Sequence, residues 1–291
     1  MRRAFVIIAA LSLSALSTFA QDSVASHHHD AKNDAKSLSF NAPGQDWARQ
    51  RVDKSPRHQE WVLVKQGGRA VNSFLVYPEV KGKATSVVVI HEIMGMTDWV
   101  RNLTDQLAEA GYIAIAPDLL SGAGPKGGGT ADFADRSAIG QAIRALPPDQ
   151  ITADLNAVTD YVSKLPAANG KVAVAGFSYG GAQSFRFATR RPDLVAAFVF
   201  YGAGPESKED IARIKAPVHG FYAGNDDRVN ATIPKTQELM REAGKKYEPV
   251  KYEGSGHGFM RMGEDPANMN EANKWARNEA WGRWRGILKK L

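Results

Sequence analysis

Short apolar runs alternate with segments of helical spacing along most of the chain. The runs predict buried strands at residues 86–90, 112–116, 171–175, 195–200, 218–222 and 249–252. The helical spacing predicts helices at residues 98–110, 150–164, 181–190, 233–243 and 268–289. Because continuously apolar strands are buried on both faces, we predict an α/β fold with a mainly parallel central sheet and helices on both faces. Residues 60–66 and 70–77 flank two glycines and predict a β-hairpin at the sheet edge.

The first twenty residues have the pattern of a secretory signal peptide. Arg2 and Arg3 precede an uncharged apolar run, and small residues lead up to Ala20, where we predict cleavage. The alternative is a membrane anchor, but the run is short for a membrane span. We therefore expect an exported protein, periplasmic or secreted, with no stable membrane anchor after signal cleavage.

Residues 21–56 are polar and lack a hydrophobic period, so they predict a flexible leader. The run His27-His28-His29 lies within it, and three histidines in a solvated tail do not define a metal site. Ordered structure is predicted to begin near Arg57, so that residues 57–291 form one domain.

The composition of the chain excludes cysteine-dependent sites and argues against a nucleic-acid partner. The 291 residues include no cysteine, which excludes disulfides, thiolate metal sites and a cysteine nucleophile. The net charge is +6, but basic residues do not form runs or alternate with aromatic ones. A nucleic-acid partner is therefore not expected.

Ser178 lies at the centre of the pentapeptide Gly176-Phe177-Ser178-Tyr179-Gly180, between a predicted strand and a predicted helix. The glycines leave room for a strained turn that exposes the hydroxyl, and the helix N-terminus faces any oxyanion formed there. An ordinary glycine-rich turn is the alternative. The strand before and the helix after favour a nucleophile.

Two further residues follow predicted strands and complete the set of groups that a serine nucleophile needs. Asp226 comes directly after the strand at residues 218–222, and His257 follows the last short strand. A histidine can take the serine proton, and a carboxylate fixes the tautomer of that histidine. Asp227 competes with Asp226, but the spacing to Val229 favours Asp226. The loop that begins at His91 can offer a backbone N–H to an oxyanion.

Five motifs in order resemble the dienelactone hydrolase family of α/β-hydrolases, from about residue 57 to the C-terminus. They are His91-Glu92-Ile93 with Gly95, Ala116-Pro117-Asp118-Leu119, the Ser178 pentapeptide with Gly181, Gly224-Asn225-Asp226 with Val229, and Gly256-His257 with Phe259. The resemblance implies that Ser178, Asp226 and His257 form a catalytic triad. It also implies an oxyanion hole from the backbone groups of Ile93 and Tyr179, and a position for Glu92 beside the nucleophile.

The chain departs from that family at two places. The enzyme that names the family uses a cysteine nucleophile, whereas this chain has Ser178. That enzyme also binds its substrate carboxylate with two arginines, of which Arg261 matches one. No arginine occurs at residues 120–124, where the second is expected.

We expect an enzyme that cleaves a small-molecule carboxylic ester or lactone through an acyl-serine intermediate, with no metal and no organic cofactor. Glu92, Trp99 and Arg261 are the candidate substrate-binding residues. Trp99 could equally be a core residue, as could the nearby apolar side chains Met94, Met96, Phe259 and Met260. The alternatives are another acyl-transfer enzyme (a thioesterase, peptidase or acyltransferase) and a non-catalytic binding protein of the same fold. The sequence leaves the oligomeric state open.

Overall fold

The computed structural model describes Phe40 and residues 42–291. The predicted signal peptide and the three adjacent histidines lie outside the described residues. No helix within 42–291 has the length and apolar character needed to cross a membrane.

The described elements alternate between strands and helices. The strands are β1 (Gln59–Gln66), β2 (Arg69–Val76), β3 (Ala84–Ile90), β4 (Ile113–Pro117), β5 (Ala168–Phe177), β6 (Ala196–Phe200), β7 (Val218–Asn225) and β8 (Tyr247–Gly256). The helices are α1 (Asp46–Lys54), α2 (Asp98–Glu109), α3 (Arg136–Ala145), α4 (Pro148–Ser163), α5 (Tyr179–Ala188), α6 (Lys208–Ala212), α7 (Asp227–Asn230), α8 (Ile233–Glu242), α9 (Phe259–Met262) and α10 (Glu271–Leu288). Two short 3-10 helices, Pro125–Gly127 and Thr130–Asp132, lie between β4 and α3.

The eight strands form one sheet in the order β1-β2-β4-β3-β5-β6-β7-β8. Strand β1 pairs with β2, and β2 with β4, in antiparallel register, whereas all other neighbours are parallel. The prediction of a mainly parallel sheet with an edge hairpin is confirmed.

The core lies on both faces of this sheet, which explains why the strands are continuously apolar. In β3, Val88 and Ile90 pack with α4, whereas Val87 and Val89 pack with α2 and α10. Successive side chains of a strand point to opposite faces, so each needs its own helical layer.

Helix α1 corrects the prediction that ordered structure begins near Arg57. It buries only Ala48 and Val52, so its apolar period is too weak to be seen in the sequence. Tertiary hydrogen bonds hold it instead: Gln45, at its N-terminus, accepts a 3.0 Å hydrogen bond from the Trp99 backbone N–H. Helix α3 was also missed. Asp135 is its N-cap residue, and the Asp135 side chain accepts a hydrogen bond from the Ala138 N–H at 2.9 Å.

Candidate active site

The strand order places the candidate residues at one edge of the sheet. The chain runs from β3 to β4 on one side and then to β5 on the other, so the loops after β3 and β5 diverge and leave a crevice. Ile90 is level with Gly176 in the register of β3 and β5. Asn225 is level with Gly256 in β7 and β8, so Asp226 and His257 leave the sheet at the same height.

Ser178 forms the tight turn between β5 and α5. Its φ of 54° and ψ of −112° lie in a region that residues with a side chain rarely adopt. The flanking glycines are required by contact: a Cβ on Gly176 would lie 1.8 Å from the Gly180 carbonyl oxygen, and one on Gly180 would lie 2.3 Å from the Ile90 carbonyl oxygen. The turn therefore places the hydroxyl outside the sheet, at the N-terminus of α5.

A chain of hydrogen bonds runs from Ser178 to Asp226 through His257. The Ser178 Oγ lies 2.8 Å from His257 Nε2, and His257 Nδ1 lies 2.5 Å from Asp226 Oδ2. Because a carboxylate accepts at Nδ1, that nitrogen carries the proton and Nε2 is free to accept from the serine hydroxyl. Asp226 is buried, whereas Asp227 is exposed and makes no hydrogen bond to His257 in the part of the chain described. Asp226 is thus the carboxylate that contacts His257.

Tyr201 packs against this chain of hydrogen bonds and was missed in the sequence. Its ring lies edge-on to that of His257, with 5.1 Å between centroids, and its backbone has a φ of 40°. Burial, and secondarily the negative charge of Glu92, raises the pKa of the Tyr201 hydroxyl well above its usual value. Its position directly after β6 is the signal that could have found it, since the other candidates also follow strands.

The loop after β3 is held by His91. The imidazole Nε2 accepts from the Leu119 N–H at 3.2 Å, so Nδ1 carries the proton and donates to the Glu92 carbonyl at 2.8 Å. Full burial lowers the pKa of His91, which keeps the ring neutral. Ile93, on this loop, and Tyr179, after Ser178, both line the cavity beside Ser178. Neither backbone N–H donates a hydrogen bond to any described residue.

The three predicted substrate-binding residues do not line that cavity. Glu92 and Arg261 pair with each other instead: Arg261 Nε donates to Glu92 Oε2 at 2.8 Å, and the Glu92 carboxylate is buried. Trp99 is fully buried, packs edge-on against Phe177 and donates from Nε1 to Glu264 at 3.1 Å. The prediction that Trp99 contacts substrate is therefore wrong. The nearby apolar side chains Met96, Phe259 and Met260 are buried core residues as well, whereas Met94, also buried, lines a second cavity.

The cavity beside Ser178 has a volume of about 480 Å³. Its lining residues are Ile93, Arg144, Ser178, Tyr179, Ala182, Tyr201, Gly202, Ala203, Arg228, Val229 and His257. The two arginines were not among the sequence candidates. Arg228 follows Asp226 by two residues, and Arg144 lies on α3, the helix that the sequence pattern did not predict. No cluster of three or more histidine, aspartate or glutamate side chains within residues 42–291 is arranged to hold a metal ion.

The parallel sheet, the strand–serine–helix turn and the order serine, aspartate, histidine define an α/β-hydrolase fold. The model of the dienelactone hydrolase family matches residues 71–291. The chain belongs to the dienelactone hydrolase family, and it is a hydrolase of the ester or lactone type. Helix α1 and strand β1 precede the matched segment.

Relatives of known sequence and structure agree with this assignment. A Salmonella typhi protein provisionally named carboxymethylenebutenolidase is 31% identical over 214 residues, which are 69% of this chain and 77% of the relative. A Bradyrhizobium protein provisionally named 2-oxo-3-(5-oxofuran-2-ylidene)propanoate lactonase is 26% identical over 213 residues, 69% of this chain and 83% of the relative.

Solved structures share the fold. A provisionally assigned dienelactone hydrolase from Klebsiella pneumoniae has a TM-score of 0.71 at 23% identity, covering 81% of this chain and 100% of the other. A dienelactone hydrolase-like promiscuous phosphotriesterase from metagenomic libraries has a TM-score of 0.69 at 22% identity, covering 81% and 99%.

Proposed function

We propose that this protein is a serine hydrolase that cleaves a carboxylic ester or lactone through an acyl-Ser178 intermediate. The observation that carries the proposal is the continuous set of hydrogen bonds from Ser178 Oγ through His257 to Asp226 Oδ2, at a cavity open to solvent. A serine hydroxyl needs a base within hydrogen-bond reach, and the base needs a partner that fixes its tautomer.

Each step can be assigned to a group of the chain. His257 Nε2 takes the Ser178 proton while Oγ bonds to the carbonyl carbon. The negative charge that develops on the carbonyl oxygen is accepted by the N–H groups of Ile93 and Tyr179, which have no other described acceptor, and by the N-terminus of α5. His257 then returns the proton to the leaving alkoxide, which departs as an alcohol. Asp226 stabilises the transient imidazolium.

Deacylation repeats these steps with water. His257 takes a proton from the water, the hydroxide oxygen bonds to the acyl carbon, and Ser178 leaves with the proton. The product acid is released and the free serine is regenerated. His257 makes every proton transfer in these steps, and Ser178 and water are the nucleophiles. We therefore propose that the reaction needs no metal and no organic cofactor.

A small-molecule substrate fits this proposal. A cavity of about 480 Å³ is within the usual range for small-molecule sites. The activities named for the Salmonella typhi and Bradyrhizobium relatives, a carboxymethylenebutenolidase and a lactonase, support an ester or lactone of modest size.

A fluorophosphonate probe tests the mechanism directly, since it reacts only with an activated serine. We expect covalent labelling of Ser178 in the native protein and none in Ser178→Ala. Hydrolysis of 4-nitrophenyl butyrate should show the same dependence on Ser178. Labelling of a different residue would contradict the role of Ser178 as the nucleophile, and no labelling at all would favour a non-catalytic binding protein. Acyl-thioester, peptide and alcohol acceptors assayed in parallel test the other acyl-transfer reactions.

We also propose that the protein is exported, on the pattern of Arg2, Arg3, the apolar run and Ala20. Fractionation of cells that express the full chain should recover it outside the cytoplasm with Gln21 as its N-terminus. Recovery of the cytoplasmic, uncleaved chain would contradict export.

A further inference from the structure

Two cavities adjoin each other at the candidate active site. The one beside Ser178 and a second of about 300 Å³ share Ile93 and Arg144 in their walls. The second cavity is also lined by Arg136 and extends along α3 away from the serine. We call the two cavities together the arginine cleft. It offers more room than a minimal ester or lactone needs.

The arginine cleft is strongly cationic. Arg136, Arg144 and Arg228 line it, and the lining of both cavities includes no aspartate or glutamate. All three side chains are exposed, and none makes a hydrogen bond or ion pair with another residue within 42–291. Arginine stays charged at any physiological pH, so three such cations, with no carboxylate among the described lining residues, create a positive field that attracts anions.

The wall of the cleft leaves room for one of these guanidinium groups. A Cβ on Gly140 would lie 3.3 Å from Arg144 Nη1 and 3.8 Å from Ile93 Cγ1. Because Gly140 has no side chain, the Arg144 guanidinium can lie across α3 next to Ile93. Arg228 lies on α7, two residues after Asp226, and lines the cavity beside Ser178. Arg144 and Arg228 thus both line the cavity that contains Ser178, whereas Arg261 pairs with Glu92.

We propose that the arginine cleft binds an ester or lactone that carries at least two carboxylate groups. One carboxylate is held at Arg144 and Arg228 beside Ser178, and the second at Arg136. Guanidinium groups match carboxylates in charge and in planar two-point geometry. This inference rests on the proposed function, since it assigns a substrate class to the same serine. It also places anion binding away from Arg261.

Three 4-nitrophenyl esters of graded charge test the inference. They are the neutral methyl 4-nitrophenyl glutarate, mono-4-nitrophenyl glutarate with one carboxylate, and 4-nitrophenyl tricarballylate with two. At low ionic strength kcat/KM should rise at each step, and 0.5 M NaCl should remove most of the gain. Arg228→Gln should lower kcat/KM for the singly charged ester, relative to kcat/KM for the neutral ester, about three- to tenfold. This is the size expected for exposed charge-assisted contacts.

Variants separate the two anion positions. Arg136→Gln should lower kcat/KM for the doubly charged ester relative to that for the singly charged ester. It should leave kcat/KM for the singly charged ester unchanged relative to that for the neutral ester. The matched control is Arg241→Gln, an exposed arginine of α8 that lines neither cavity, and it should change no ratio.

Binding provides a readout that does not depend on turnover. Tricarballylate should bind Ser178→Ala saturably in calorimetry, and binding should weaken when Arg136 or Arg228 is also replaced by glutamine. Equal kcat/KM for all three esters, with no tricarballylate binding, would overturn the inference while the proposed hydrolysis stands. If no ester is cleaved and no fluorophosphonate label forms, the proposed function fails, and calorimetry alone decides whether the cleft binds polyanions.

Discussion

Arg261 Nε donates a 2.8 Å hydrogen bond to the buried carboxylate of Glu92. This ion pair joins the loop after β3 to helix α9, which begins two residues after His257. The two loops carry different parts of the proposed machinery: Ile93 follows Glu92, and His257 precedes α9. Removing one partner leaves a buried charge without compensation, which destabilises a fold strongly.

We therefore expect Arg261→Ala to lower the free energy of unfolding by about 3 kcal/mol, the low end for a broken buried pair, because Arg261 is partly exposed. Urea denaturation measures the loss. The double variant Glu92→Gln with Arg261→Met should recover most of it, since no charge is then left unpaired. In kinetics, Arg261→Ala should reduce kcat/KM for neutral and carboxylate esters alike. A loss confined to carboxylate esters would restore Arg261 as a substrate-binding residue.

The neighbouring residues Asp226 and Asp227 form a matched pair that tests which carboxylate supports His257. Asp226→Asn presents an amide to His257 Nδ1 and favours the wrong imidazole tautomer, so turnover should fall on the order of ten-thousandfold. Asp227→Asn changes an exposed side chain with no bond to the histidine, and its effect should stay within about twofold. Initial rates with 4-nitrophenyl butyrate measure both. The reverse order of effects would assign the role to Asp227.

The strained backbone of Ser178 predicts that activity and stability can be separated. Ser178→Ala and Ser178→Gly should both lose about six orders of magnitude in kcat, as loss of the nucleophile does in a serine hydrolase. Glycine adopts a φ of 54° without steric cost, so Ser178→Gly should be more stable than Ser178→Ala by about 1 kcal/mol. Thermal unfolding of the two variants tests this, and equal stability would mean that the turn stores no strain.

Asp154 predicts a pH dependence of stability that is unrelated to catalysis. Asp154 is buried on α4, and burial raises its pKa to about 6. The positive charge of Arg69, whose Nη2 lies 3.1 Å from Asp154 Oδ2, opposes this rise but does not cancel it. Between pH 4 and pH 6 the folded state therefore holds a proton that the unfolded chain has released. The stabilisation from this group is complete below pH 4 and is lost as the pH rises through 6, by about 3 kcal/mol for two pKa units.

Asp154→Asn should remove the pH-dependent contribution of this residue to the free energy of unfolding. Urea unfolding of the variant and of the native protein, each at pH 5 and pH 8, measures that contribution. Asp149→Asn, an exposed position near the start of the same helix, is the control and should leave the profile as it is. An unchanged profile in Asp154→Asn would show that Arg69 fully compensates the buried carboxylate.

Local patterns were sufficient to predict the strands, most helices and the chain positions of Ser178, Asp226 and His257. A strand buried on both faces must be apolar throughout, and a serine on a strand-to-helix turn needs small neighbours, so both leave a mark within a few residues of sequence. Because ligands bind beyond the carboxyl ends of parallel strands, three residues that each follow a strand are expected at the same edge of the sheet.

The tertiary structure alone decided which polar residues pair and which face the cleft. Glu264 is an example: this buried carboxylate accepts hydrogen bonds from Trp99, Asn102 and Arg51, which are far away in the chain. Arg261 and Arg144 differ in the same way, since one pairs with Glu92 and the other lines the cleft. Hydrophobic burial has a period that a sequence displays, whereas an ion pair depends on where distant segments meet, and neither partner's local sequence records the other.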